Sequence, residues 1–173
     1  MRECGGCTQC CYLVGVPELE KSDSEQCLHC DEGWGCAVYE KRPQSCQDFN
    51  CLWLTEFIPE HLKPDKIKTV VMLVVGQSRG GDRLPIMLFT IDEKAPINAE
   101  LHSLGVYISH QTAVQFTHGE RRQMWQNGKL VAEWNKRTQH FDTDLKDGKF
   151  VDVTVTDRIA VEEVVNDSIS PAT

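Results

Sequence analysis

Nine cysteines lie between residues 4 and 51, and none lies beyond. They run Cys4-x2-Cys7-x2-Cys10-Cys11, then Cys27-x2-Cys30-x5-Cys36-x9-Cys46-x4-Cys51. Thiols at this density either pair as disulfides or hold metal. The repeated x2 spacing favours metal, because one tight turn then aims two sulfurs at the same ion. An odd count also fits a complete disulfide framework poorly. Cysteines serving only as small buried hydrophobes would not cluster at ligand spacings. The opening residues, Met1-Arg-Glu-Cys-Gly-Gly6, carry no apolar leader core. The expectation is therefore a cytoplasmic chain in a reducing pool, where stable disulfides are disfavoured.

All nine cysteines are candidate ligands, with one to spare. Eight thiolates fill two Cys4 sites, whether two tetrahedral zincs or two clusters. On an extended chain Cys10 and Cys11 would point to opposite sides, so the two are expected to serve different sites, or one of them is spare. His29, between Cys27 and Cys30, is a weaker candidate, since its neighbours already supply the natural ligand pair. Ligand type alone does not separate zinc from iron–sulfur. Paired knuckles across a loop suit structural zinc, and the Cys-Pro that closes a ferredoxin run is missing. Two Zn2+ sites are the first expectation and an iron–sulfur cluster the second. Tyr39, Arg42 and Pro43 are read as framing the site. Trp34, Phe49 and Trp53 are read as packing residues.

Other chemistry finds little support. The remaining histidines (His61, His102, His110, His118 and His140) share no strong ligand spacing. There is no phosphate loop, nucleophile elbow or His-Glu-x-x-His. Asp142, Asp144 and Asp147 lack the closing Glu of a calcium loop. No catalytic residue is assigned, because closed Cys4 sites leave no open position. Any enzymatic activity would be of an iron–sulfur oxidoreductase type.

The chain has 173 residues and a net charge of −8. Residues 1–51 hold four Lys/Arg against nine Asp/Glu, so the cysteine segment is itself acidic. That argues against nucleic acid, which needs a basic face. The longest apolar run, Val70 to Val75, is too short to span a bilayer. The expected partners are a metal ion and a protein, not a membrane.

The elements that must position the cysteines are short. Gly5-Gly6, Gly33 and Gly35 supply tight turns. Residues 12–16 form an apolar stretch, a strand or the start of a helix, and Pro17 to Gln26 reads as a loop. Phe49, Leu52, Trp53, Leu54 and Phe57 form a seam to the rest. Beyond Pro64, Ile67 to Gly76 reads as a buried strand. A turn at residues 79–82 leads to Leu84–Ile91, where Pro85 suggests an edge. A helix within residues 95–108 has Asn98 as its cap and Leu101, Leu104 and Ile108 at helical spacing. Strands follow at Ala113–Thr117, Arg121–Trp125 and Leu130–Trp134, the last two joined by Asn127-Gly128. A further strand lies within Phe150–Val155. The class is α+β: a cysteine-rich, loop-dominated metal-binding module (1–58) packed on a small antiparallel sheet with one or two helices (59–165), and a frayed tail (166–173).

The cysteine pattern resembles a known family. Cys4-Gly-Gly-Cys7-Thr-Gln-Cys10-Cys11 is similar to the CxxCxxCC signature of the YkgJ-type cysteine-cluster proteins, described as zinc- or iron-chelating domains. Cys36-Ala-Val-Tyr39 and Arg42-Pro43-Gln-Ser-Cys46-Gln-Asp-Phe49 resemble that family's second block. Cys51-Leu-Trp53-Leu and Pro64-Asp65 look like one of its subgroups. Many members lack Cys51 and carry an apolar residue where Cys30 stands. Val38 and Gln47 replace the usual Ile and Arg. The likeness covers residues 4 to about 70 and implies a metal or iron–sulfur site without one agreed reaction. Three roles fit: a structural or partner-binding metal protein, an iron–sulfur protein in electron transfer or assisting a modifying enzyme, and a metal chaperone or store.

Overall fold

The computed structural model describes residues 2–78, 83–135, 140–143 and 151–158. The chain is α+β. Its N-terminal part carries α1 (Gln9–Leu13), a two-residue ribbon of β1 (Cys30–Asp31) and β2 (Gly35–Cys36), and α2 (Gln44–Gln47). The body follows with α3 (Pro64–Ile67), β3 (Thr69–Ser78), β4 (Arg83–Ile91), α4 (Ala99–Ile108), β5 (Ala113–His118), β6 (Arg121–Gln126), β7 (Lys129–Asn135), β8 (His140–Thr143) and β9 (Val151–Arg158). The main sheet has seven strands in the order β8-β7-β6-β5-β4-β3-β9.

This sheet is larger than expected, and one of its pairs is parallel: β4 with β5, from Ile86↔Ala113 to Ile91↔His118. The cause is α4, which carries the chain back between them, as a parallel pair requires. Strand β8 lies outside the strands that the sequence pattern predicts. The expectation that Pro85 marks an edge fails, since β4 lies between β3 and β5. Proline is tolerated there because pairing to β5 starts only at Ile86. The Pro85 carbonyl instead accepts the Thr112 hydroxyl at 2.9 Å. The expected turn at 79–82, most of the calcium-like loop and the tail lie outside the described residues.

Local signals held where the chemistry is local. The Asn98 carboxamide accepts from the Leu101 N–H at 2.9 Å, capping α4. Asn127 (φ 51°) and Gly128 (φ 72°) both adopt the left-handed turn that Asn-Gly favours.

The sheet is covered on both faces. On one, Val71, Met87, Phe89, Ile91, Val114 and Phe116 pack with Leu101 and Ile108 of α4 and with Leu52, Trp53, Ile58 and Leu62. On the other, Val70, Met72, Val74, Ile86 and Met124 pack with Leu13 and Val14. The cysteine segment thus contributes to both cores. Strand β9 pairs with β3 only from Val74 onward. Upstream of that, the Leu52 N–H donates to the Val71 carbonyl at 2.9 Å, covering an edge that would otherwise be bare. No helix among the described residues is long and apolar enough to cross a membrane.

Candidate metal centre

Each cysteine pair is set by a short turn. The Cys7 N–H donates to the Cys4 carbonyl at 3.1 Å, and the Cys30 N–H to the Cys27 carbonyl at 3.1 Å. These are the tight turns the x2 spacing implies. Cys10 and Cys11 lie in α1, not on extended chain. That overturns the reason for placing them on opposite sides: helical neighbours lie about 100° apart, and here the two side chains hydrogen-bond each other.

The turns are then packed together by backbone. The Cys27 N–H donates to the Cys11 carbonyl at 3.1 Å, joining the first cysteine group to the second. Cys30 and Cys36 face each other across β1 and β2. Gly6 lies on the turn between those strands so closely that a methyl at its Cα would overlap the Gly33 carbonyl. Gly6→Ala therefore removes no thiol yet is expected to push the two groups apart and weaken metal retention about tenfold or more. Competition with a chromophoric chelator measures this, and unchanged affinity would mean that this packing does not shape the site.

These contacts bring the cysteines to one place. A cavity of about 330 Å³ is lined by Cys4, Cys7, Cys10, Cys11, Cys27, Cys36, Cys46 and Cys51, with His29, Tyr39, Arg42 and Pro43 also in its wall. The ninth, Cys30, hydrogen-bonds the side chain of Cys11. Arg42 stacks on Tyr39, with Cζ 4.1 Å from the ring centroid. Its charge acts on Cys4. Trp53 is buried, donates from Nε1 to the Glu60 carbonyl at 3.0 Å, and packs under Arg2 and Lys63. Trp34 departs from the packing role read for it: it is 89 % exposed at the cavity rim.

Two contributors were not legible in the sequence. Lys21 is buried, and its ammonium donates to the carbonyls of Tyr12 (3.1 Å), Val14 (2.7 Å) and Ser22 (3.1 Å). It ties the end of α1 to the following loop and puts a cation near Cys11 and Cys27. Burial lowers its pKa, and the neighbouring thiols and carboxylates oppose that. The available signal was that Lys21 is the only Lys or Arg between Arg2 and Lys41. Asp65 is the second: its backbone N–H donates to the Cys7 sulfur, and its Oδ1 is buried with no hydrogen-bond partner among the described residues.

Burial raises the pKa of the Cys4, Cys7 and Cys30 thiols. Neighbouring groups add to it: Cys7 acts on Cys4, Asp65 on Cys7 and Cys11 on Cys30. Cys11 is raised by its hydrogen bond with Cys10 and by burial. Cys51, 7 % exposed, is pushed by burial from 9.0 up to about 11. These thiols are therefore protonated at neutral pH, and a metal that bound them would have to displace the protons. Zinc uptake by metal-free protein at pH 7 is expected to release about one proton per thiol ligand, read in weakly buffered solution; uptake without acid release would contradict thiol ligation. For the metal-free protein the sign is opposite to that of a salt-bridged carboxylate. The folded pKa of Cys51 lies above the unfolded one, so its contribution is present below about pH 9 and lost as pH rises through about 11. That difference is of the order of 3 kcal/mol.

Among the described residues no three Cys, His, Asp or Glu side chains stand arranged to hold an ion as they are. The donor set nevertheless fits a thiophilic metal: soft thiolates in excess, and a buried carboxylate oxygen lacking a partner. No family model, curated protein or solved structure matches the chain.

Proposed function

We propose that this chain is a cytoplasmic metal-binding protein that holds Zn2+ or iron through its cysteine cluster, in a structural or partner-binding role. The observation that carries the reading is convergence. Cysteines from three stretches of chain, 4–11, 27–36 and 46–51, line one cavity between the ribbon, α1 and the sheet. The contacts also group the thiols. Cys4, Cys7 and Cys51 act on one another, and Cys11 acts more weakly on Cys4. Cys11 touches Cys10 and Cys30 and holds Cys27 by its carbonyl. This grouping supports two metal sites interleaved between the first and second cysteine blocks. Leu28 and Trp34, both exposed on the cysteine segment, give a partner apolar surface to dock on.

A second reading, an iron–sulfur protein, is favoured by one observation. Eight of the cysteines line a single cavity of about 330 Å³, as a cluster sharing one thiolate shell would need. Resistance to a mild chelator tests the structural role. Bound metal is expected to stay until the protein unfolds. Loss within minutes in the folded state would instead indicate a metal store or chaperone. A chain that binds no metal when reduced and reconstituted would sink the reading altogether.

A further inference from the structure

We propose that Asp65 is an oxygen ligand of the metal held by Cys4, Cys7 and Cys51, giving one mixed sulfur–oxygen site beside an all-thiolate site. The inference rests on the metal-binding reading and assigns a residue outside the cysteine set. Asp65 follows Pro64, which lines the cysteine cavity, in the first turn of α3. Its backbone N–H donates to the Cys7 sulfur, so the residue is locked against this end of the cluster. Its two carboxylate oxygens differ. Oδ2 turns outward, 3.9 Å from the Lys63 ammonium. Oδ1 is buried and meets no donor among the described residues.

A buried carboxylate oxygen without a donor is unfavourable and calls for an explanation. A cation supplies one. Cys4 and Cys7 come from one turn, and Cys51 is held beside them, its sulfur facing the amides of Trp53 and Leu54. Three thiolates leave one tetrahedral position, and zinc accepts a carboxylate there as it accepts sulfur. A divalent ion with three thiolates and a carboxylate is dianionic. The Lys63 and Arg42 cations, which act on Cys4, offset that charge. An oxygen ligand also makes this site the softer-held of the two, from which metal exchanges first.

The probe is 113Cd alone, loaded into the reduced full-length chain and read by NMR, where all-sulfur cadmium resonates well downfield of cadmium with an oxygen ligand. The expected spectrum has one all-sulfur resonance and one upfield of it. Asp65→Asn, which keeps size and shape, is expected to abolish or shift the upfield resonance alone and to lower cadmium by about one ion per chain. Asp65→Glu, which keeps the carboxylate, is expected to retain an upfield signal. The inference is overturned if every wild-type resonance lies in the all-sulfur range, or if Asp65→Asn, with an unchanged circular dichroism spectrum, moves none of them. Cadmium retained in all-sulfur sites would leave the metal-binding reading standing without Asp65. A wild-type chain that retains no cadmium would remove both.

Discussion

Replacing Cys51 with alanine is expected to lower bound metal by about half and to leave the sheet folded. The Cys4 and Cys7 thiols act on Cys51, so on the two-site proposal its loss would take a ligand from that site alone. Cys11→Ala is expected to remove the other half, because Cys11 binds Cys10 and Cys30 and anchors the backbone of Cys27. The double variant should hold no metal. Closed tetrahedral sites lose their ion when one thiolate goes, which is why the effects are large. Elemental analysis of each variant, with far-ultraviolet circular dichroism to check folding, reads the outcome. If either single substitution empties the protein completely, the thiols serve one shared centre, and the iron–sulfur reading gains. If neither changes metal content, the two-site grouping is wrong.

Phe89→Ala is expected to cost about 3–5 kcal/mol of stability, the usual penalty for emptying a large buried site. Phe89 is fully buried at the centre of the sheet face that α4 covers. Its ring lies 4.8 Å from that of Phe116. Helix α4 approaches so closely that a methyl on Gly105 would overlap the Phe116 ring and come within 3.1 Å of Phe89. Collapse into the space left by Phe89 is therefore limited by the backbone of α4 above and the sheet below. The variant's urea midpoint should fall steeply with little change in slope. A loss under 1 kcal/mol would mean that this face is loosely packed, and the account of how the body supports the cysteine segment would need revision. That segment leans on the same core through Leu52 and Trp53, so metal retention should weaken together with stability.

Much of this was legible from local chemistry. Asn98 announced the start of α4, and Asn127-Gly128 the hairpin, because each residue acts on backbone within a few positions. The β-branched run after Ile67 and its partner across residues 79–82 were likewise local. The parallel pairing of β4 and β5 was not, since nothing in either strand's pattern encodes a partner reached through α4. Pro85 misled for the same reason: whether it lies at an edge depends on where a distant strand begins to pair. In the site, the x2 spacings announced the turns that join Cys4 to Cys7 and Cys27 to Cys30. Residue spacing alone did not reveal that Cys10 and Cys11 share a helix turn, that Lys21 is buried on three carbonyls, or that one oxygen of Asp65 is buried without a donor among the described residues. Those facts arise from packing between segments tens of residues apart. Trp34 shows the converse: a residue type that ordinarily signals burial stands in the open beside the cavity.

The central claim is that the cysteine cavity holds metal, and the most direct measurement is metal per chain by elemental analysis on protein purified without oxygen, with its visible spectrum. The account predicts about two zinc ions per chain and no visible band, as expected for two thiolate-rich sites of a closed-shell ion. Iron with matching sulfide and broad visible absorption would place the same ligands around a cluster. Protein free of zinc and iron, with nine titratable thiols, would contradict the claim.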